Sequence, residues 1–91
     1  MHVSRETVAG AVPPAVLADL RRAFGREIAT RLPHLAELTD LETARRDAHT
    51  LASSAWVVGE PDIARLAREV ENALPAGPLP ELLVLLEAYV A

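Results

Sequence analysis

Ninety-one residues, 51% of them apolar, suffice for one modest hydrophobic core and not for two. The formal charge of −4 argues against a nucleic-acid binder, and with no cysteine there is neither a disulfide framework nor a thiolate metal site. No apolar run approaches the roughly 18 to 20 residues that span a bilayer, and "MHVSRETVAG" lacks the apolar stretch of a signal peptide.

A soluble, cytoplasmic single domain over residues 1–91 is expected, and Met1 with a compact C-terminus favours a freestanding protein. Aromatics make up only 3% of the chain, so the core should be built from Ala, Leu and Val, a composition that favours helix. Punctuation comes from "VPP" at 12–14, "TDLE" at 39–42, "GEPD" at 59–62 and "PAGPLP" at 75–80, and between these marks the apolar spacing is helical.

The first segment carries Leu17, Leu20, Phe24, Ile28, Leu32, Leu35 and Leu38 at steps of three or four. One helix from about Pro14 to Leu38 would be roughly 37 Å long. Pro33 should kink it, and a split into two helices near Phe24–Gly25 is the alternative. The second segment starts after Thr39 or Asp40, either a suitable cap, and runs to Val57 or Val58, where Gly59 suits a left-handed helix end. Pro61 fits the first turn of a third helix, whose stripe is Ile63, Leu66, Ala67, Val70, Ala73 and Leu74. Pro80 begins the last helix, with a wide apolar face of Leu82, Leu83, Leu85, Leu86, Tyr89 and Val90. Four amphipathic helices with short loops predict an all-α, antiparallel four-helix bundle.

On the second helix Leu41, Ala44, Ala48, Leu51 and Ala55 share the face expected to be buried. At about 100° per residue, His49 lies roughly 120° from the centre of that face. Its neighbours one turn away are Arg45 and Arg46 on one side and Ala52 and Ser53 on the other, with Glu42 and Trp56 two turns away. The small residues leave the imidazole clear for a partner, and neutral imidazole is a competent nucleophile near pH 7. Two readings remain open on this geometry: a presented nucleophile, or a polar residue on a solvated helix. Trp56 is equally open between an exposed interface anchor and a side chain tucked into the bundle end.

The run "AHTLASSAWVVGEPDIARL" resembles the histidine-containing phosphotransfer (HPt) domains, whose pattern is roughly A-H-x-L-K-G-S-[SA]-x-x-x-G followed by an apolar-led helix. Ala48, His49, Leu51, Ser54, Ala55, Gly59 and the Ile63/Leu66 pair fall in register. The resemblance implies a four-helix bundle in which His49 accepts a phosphoryl group from a receiver aspartate or a kinase and passes it to a response-regulator receiver. It implies a carrier and not an enzyme, a monomer without a cofactor of its own, with Mg²⁺ and catalytic groups on the partner. Thr50, Trp56 and Glu42 belong to the implied partner-binding face.

Two positions depart from the pattern: its lysine is Ala52 and its glycine is Ser53. Both residues should lie close to the phosphoryl group, where the Ser53 hydroxyl can donate, and Arg45 or Arg46 is expected to supply the missing positive charge. The alternative function is a degenerate HPt-like module that docks on a receiver or kinase without phosphotransfer. A third reading is an oligomerising bundle that uses the apolar face of the last helix. A sensor-kinase dimerisation helix fits poorly, because its acid and proline would fall at Thr50 and Ser54. His2 belongs to a terminus expected to fray, and His34 follows Pro33; neither forms a pair with metal-ligand spacing.

Overall fold

The computed structural model describes residues 11–91, so the expectation for His2 lies outside it. Four helices follow one another: α1 (Pro14–Glu37), α2 (Leu41–Val58), α3 (Pro61–Ala73) and α4 (Leu79–Val90). There is no strand among the described residues. Each helix packs on its neighbours in the chain and α4 closes the ring against α1, with the most extensive seam between α2 and α3. Connections this short reverse the chain between consecutive helices, which gives the antiparallel bundle. No helix among the described residues is long and apolar enough to cross a membrane.

The helix ends follow from local chemistry. Asp40 caps α2, accepting from the Glu42 N–H at 3.1 Å and the Thr43 hydroxyl at 2.6 Å. The Thr43 hydroxyl and then the Glu42 N–H hold the Asp40 carboxyl below its ordinary value, because both stabilise the charged form. Gly59 ends α2 at φ 79, a left-handed conformation that costs glycine nothing. Only Gly59 and Glu60 separate α2 from α3, which has Pro61 in its first turn. Helix α1 is unbroken at Gly25 and continues through Pro33, so the split alternative is excluded. A β-carbon at Gly25 would rest 3.9 Å from the Tyr89 ring, an ordinary packing contact with α4, so the residue lies within the helix and does not break it.

The core comprises Phe24, Ile28 and Leu35 of α1, the alanines and Leu51 of α2, Ile63, Ala64, Ala67 and Val70 of α3, and Leu82 and Leu86 of α4. Tyr89 meets Phe24 edge-to-face at 5.1 Å, and its hydroxyl donates to the Arg21 carbonyl. Burial is the main cause that raises the Tyr89 pKa, with the Glu60 charge adding to it.

Four expected apolar-face assignments differ, one of them Val90, exposed at the end of α4. Leu41 is exposed, because the first residue of α2 stands at the end of the bundle, and Ala73 is exposed at the end of α3. Ala52, outside the stripe expected to be buried, is only 2% exposed, because α3 crosses it. On α4, Leu82 and Leu86 are fully buried and Leu83 and Leu85 pack partly against the same core.

Candidate functional site

The seam between α2 and α3 is made of small residues. Ala44, Ala48, Ala52 and Ala55 of α2, and Ala64 and Ala67 of α3, are all buried, and side chains this small let the two helices pack closely. The two-residue turn at Gly59–Glu60 fixes their register. His49 lies ten positions before Gly59, and Glu71 lies eleven after Glu60, which brings the two level with each other across the seam.

There the His49 Nδ1 and the Glu71 Oε2 are 2.9 Å apart. An ionised carboxylate only accepts hydrogen bonds, so Nδ1 carries the proton and donates it. In the neutral ring the lone pair is therefore on Nε2, the nitrogen free of this contact. The His49 side chain is 67% exposed, whereas Glu71 is 24% exposed and held against the seam. A fixed carboxylate thus orients an open imidazole and offsets any positive charge it acquires, the arrangement that serves nucleophilic histidines and metal-ligating ones alike. Glu71 was not among the residues that the sequence pointed to.

Beside the ring lies a concavity of about 480 Å³ lined by His49, Ala52 and Ser53 of α2 and by Arg68, Glu71 and Asn72 of α3.

A family model described as "Hpt domain" matches residues 14–91, all four helices. The chain belongs to the Hpt domain family. No curated protein and no solved structure shows a significant match to it. Hpt domains are phosphorelay histidine-phosphotransfer modules, phosphocarriers and not classical enzymes, which interact with receiver and kinase domains.

Within this Hpt domain the expected site residues separate into three groups. Ala52 and Ser53 lie beside His49 in the concavity, with Ser53 exposed. Arg45 and Arg46 are exposed on α2 and do not line it. Thr50 is half-buried and Glu42 exposed, both on α2. Trp56 resolves between its two readings: it is half-buried and packed against the core, yet one side lines a second groove. That groove, about 640 Å³, is walled by Trp56, Pro61, Asp62, Arg65 and Glu69, and it shares Arg68 and Asn72 with the His49 concavity.

His34 belongs to a different structure. Its Nδ1 is 3.0 Å from Oδ2 of Asp47, whose other oxygen accepts from Arg31 Nη1 at 2.6 Å. Asp47 is the only buried charged residue among those described, at 4% exposure, and Arg31 of α1 balances its charge while His34 hydrogen-bonds its other oxygen. Glu27 extends the set, pairing with Arg31 at 3.5 Å and accepting from Ser54 at 3.1 Å. This network clamps α1 to α2 away from the concavity, and it fixes which face of α2 is left for His49.

Proposed function

We propose that the protein is a working histidine phosphocarrier, with Nε2 of His49 as the atom that accepts and releases the phosphoryl group. The single observation that carries the reading is the Glu71 contact on Nδ1 of an otherwise exposed ring. A module kept only for docking would have no use for a carboxylate that selects the nucleophilic tautomer.

The Nε2 lone pair attacks the phosphorus of a receiver's aspartyl phosphate in line with the breaking P–O bond. That bond's electron pair stays on the departing aspartate, an N–P bond forms, and the Nδ1 proton remains on its hydrogen bond to Glu71. The imidazolium created by the transfer is neutralised by the Glu71 carboxylate. The reverse sequence passes the group to a second receiver. Phosphoryl transfer runs through a loose transition state and needs chiefly positioning and charge stabilisation. Mg²⁺ belongs to the receiver in this scheme, and the Hpt domain brings no cofactor of its own. Thr50, Trp56 and Glu42 flank His49 along α2 and would contact the receiver; Ser53 would donate to a phosphoryl oxygen. The protein acts as a cytoplasmic monomer on this reading.

The test is transfer from a phosphorylated receiver of the same organism. The wild-type domain becomes labelled and His49→Gln does not. Binding that survives His49→Gln, with no label on the wild type from any receiver, would establish the docking-only module instead.

A further inference from the structure

The phosphoryl group on His49 carries negative charge, and no arginine of α2 lines the concavity beside the ring. Position 52, one turn after His49, is alanine, and its methyl is buried in the seam. Arg45 and Arg46 are one turn before His49 and outside the concavity. The structure offers a different cation. Arg68 lines the concavity with His49, Ala52, Ser53, Glu71 and Asn72, and it is the one basic residue among that set apart from the histidine.

The register of the α2–α3 hairpin explains why. Ala52 lies seven positions before Gly59, and Arg68 lies eight after Glu60, the same offset that sets His49 level with Glu71. His49 and Ala52 are three apart on α2, and Arg68 and Glu71 are three apart on α3, so each pair shares a helix face. Arg68 therefore stands opposite Ala52, the position where a longer basic side chain on α2 would otherwise reach toward the phosphoryl group. With alanine there, no long side chain from α2 competes with one from α3. Arg68 is also uncommitted: its neighbour Arg65 is placed between Asp62 and Glu69, while Arg68 has no ion pair among the described residues. A guanidinium presents several donors in one plane and matches phosphoryl oxygens geometrically.

We infer that Arg68 is the phosphoryl-binding cation of this Hpt domain, reaching from α3 across Ala52 to the oxygens of the group transferred to or from His49. The inference rests on His49 being the phospho-acceptor. During transfer Arg68 stabilises the negative charge on the equatorial oxygens, Glu71 stabilises the positive charge on the ring, and the two charges on α3 address the two ends of the new N–P bond. Because Arg68 also borders the Trp56 groove, it marks where a receiver's active site must approach.

Phosphoramidate, a small donor that loses ammonia as its phosphoryl group passes to histidine, tests the inference without any docking partner. Arg68→Ala should slow labelling of His49 by phosphoramidate and by a phosphorylated receiver, each by about tenfold or more, as expected when one aligned donor to a transferring group is removed from an open site. Arg68→Lys should retain most of the rate, and Arg45→Ala and Arg46→Ala should each leave it within twofold of wild type. A loss with the receiver alone would make Arg68 a docking residue, and a loss with Arg45→Ala or Arg46→Ala alone would return the role to α2; either result overturns the inference. Circular dichroism of Arg68→Ala guards against misfolding, and Arg68→Gln supplies a second charge-removing variant. If the wild type takes label from neither donor, the phosphocarrier reading itself has failed; if it takes label and Arg68→Ala and Arg68→Gln match it, only the role of Arg68 has.

Discussion

Replacing Glu71 with alanine isolates what the carboxylate contributes to His49. The contact is a charge-assisted hydrogen bond of 2.9 Å between an imidazole N–H and a carboxylate oxygen. Bonds of this kind contribute about 1.5–3 kcal/mol when shielded from water. Here Glu71 is largely shielded but the ring is 67% exposed, which places the contact toward the lower end of that range. Only the part that strengthens as the ring becomes positively charged accelerates transfer, since uniform stabilisation of ground and transition states has no such effect. A net contribution of about 1.4 kcal/mol corresponds to a tenfold rate. Glu71→Ala should therefore slow single-turnover transfer from a phosphorylated receiver by about tenfold. Glu71→Gln, which keeps an acceptor oxygen without the charge, should fall between the two. Nitrogen-15 chemical shifts of the ring supply an independent readout, with Nδ1 protonated in the wild type and the proton redistributed toward Nε2 in Glu71→Ala. An alanine variant that transfers at the wild-type rate with its tautomer unchanged would refute the orienting role.

Three further outcomes follow from the packing. Gly25→Ala should raise stability by about 0.5–1 kcal/mol, because the helix interior gains an alanine whose β-carbon meets only ordinary contact with Tyr89, and thermal melting detects the rise of several degrees. Asp47→Ala should lower stability by about 1–3 kcal/mol in urea titrations, because the Arg31 and His34 donors that clamp α1 to α2 lose their shared acceptor. Asp40→Ala should lower the melting temperature near neutral pH. Since the folded Asp40 pKa lies below its ordinary value of 3.8, the stabilisation is complete above that value and disappears as pH falls through the folded one, so wild type and variant should start to converge as pH falls below 3.8 and meet only below the folded value.

The fold was legible because its determinants are local. Asp40, Gly59 and Pro61 each set a helix boundary through their own backbone or side-chain chemistry, and the apolar stripes of α1, α3 and α4 show the helical period directly. The errors fell where a stripe meets an edge. Leu41 looks like a core residue by period but stands at the end of the bundle, and Gly25 looks like a break until Tyr89, far along the chain, is seen packed against it. The site was half legible for the same reason. His49 and its small neighbours lie on one helix, so a single helical wheel finds them. Glu71 and Arg68 lie on the next helix, and a wheel of α3 shows them merely as polar residues opposite an apolar stripe.

What connects the two halves of the site is the length of the turn between them. With Gly59 and Glu60 as the only loop residues, positions counted outward from the turn come out level to within one residue, and the His49–Glu71 contact fixes the offset that also sets Arg68 near Ala52. The count needs only the two helix ends, both marked in the sequence, and the assumption that a two-residue connection leaves consecutive helices antiparallel. It also changes what Ala52 means. Read on α2 alone, an alanine where the Hpt pattern has lysine is a loss. Read across the seam, a small residue there is a requirement, because a long side chain at position 52 and the Arg68 side chain would compete for one space beside the ring. The same buried alanine lets α3 approach closely enough for the Glu71 carboxylate to hold Nδ1 at 2.9 Å. The chain thus places both of its charged groups for phosphoryl transfer on α3 and keeps α2 for the nucleophile.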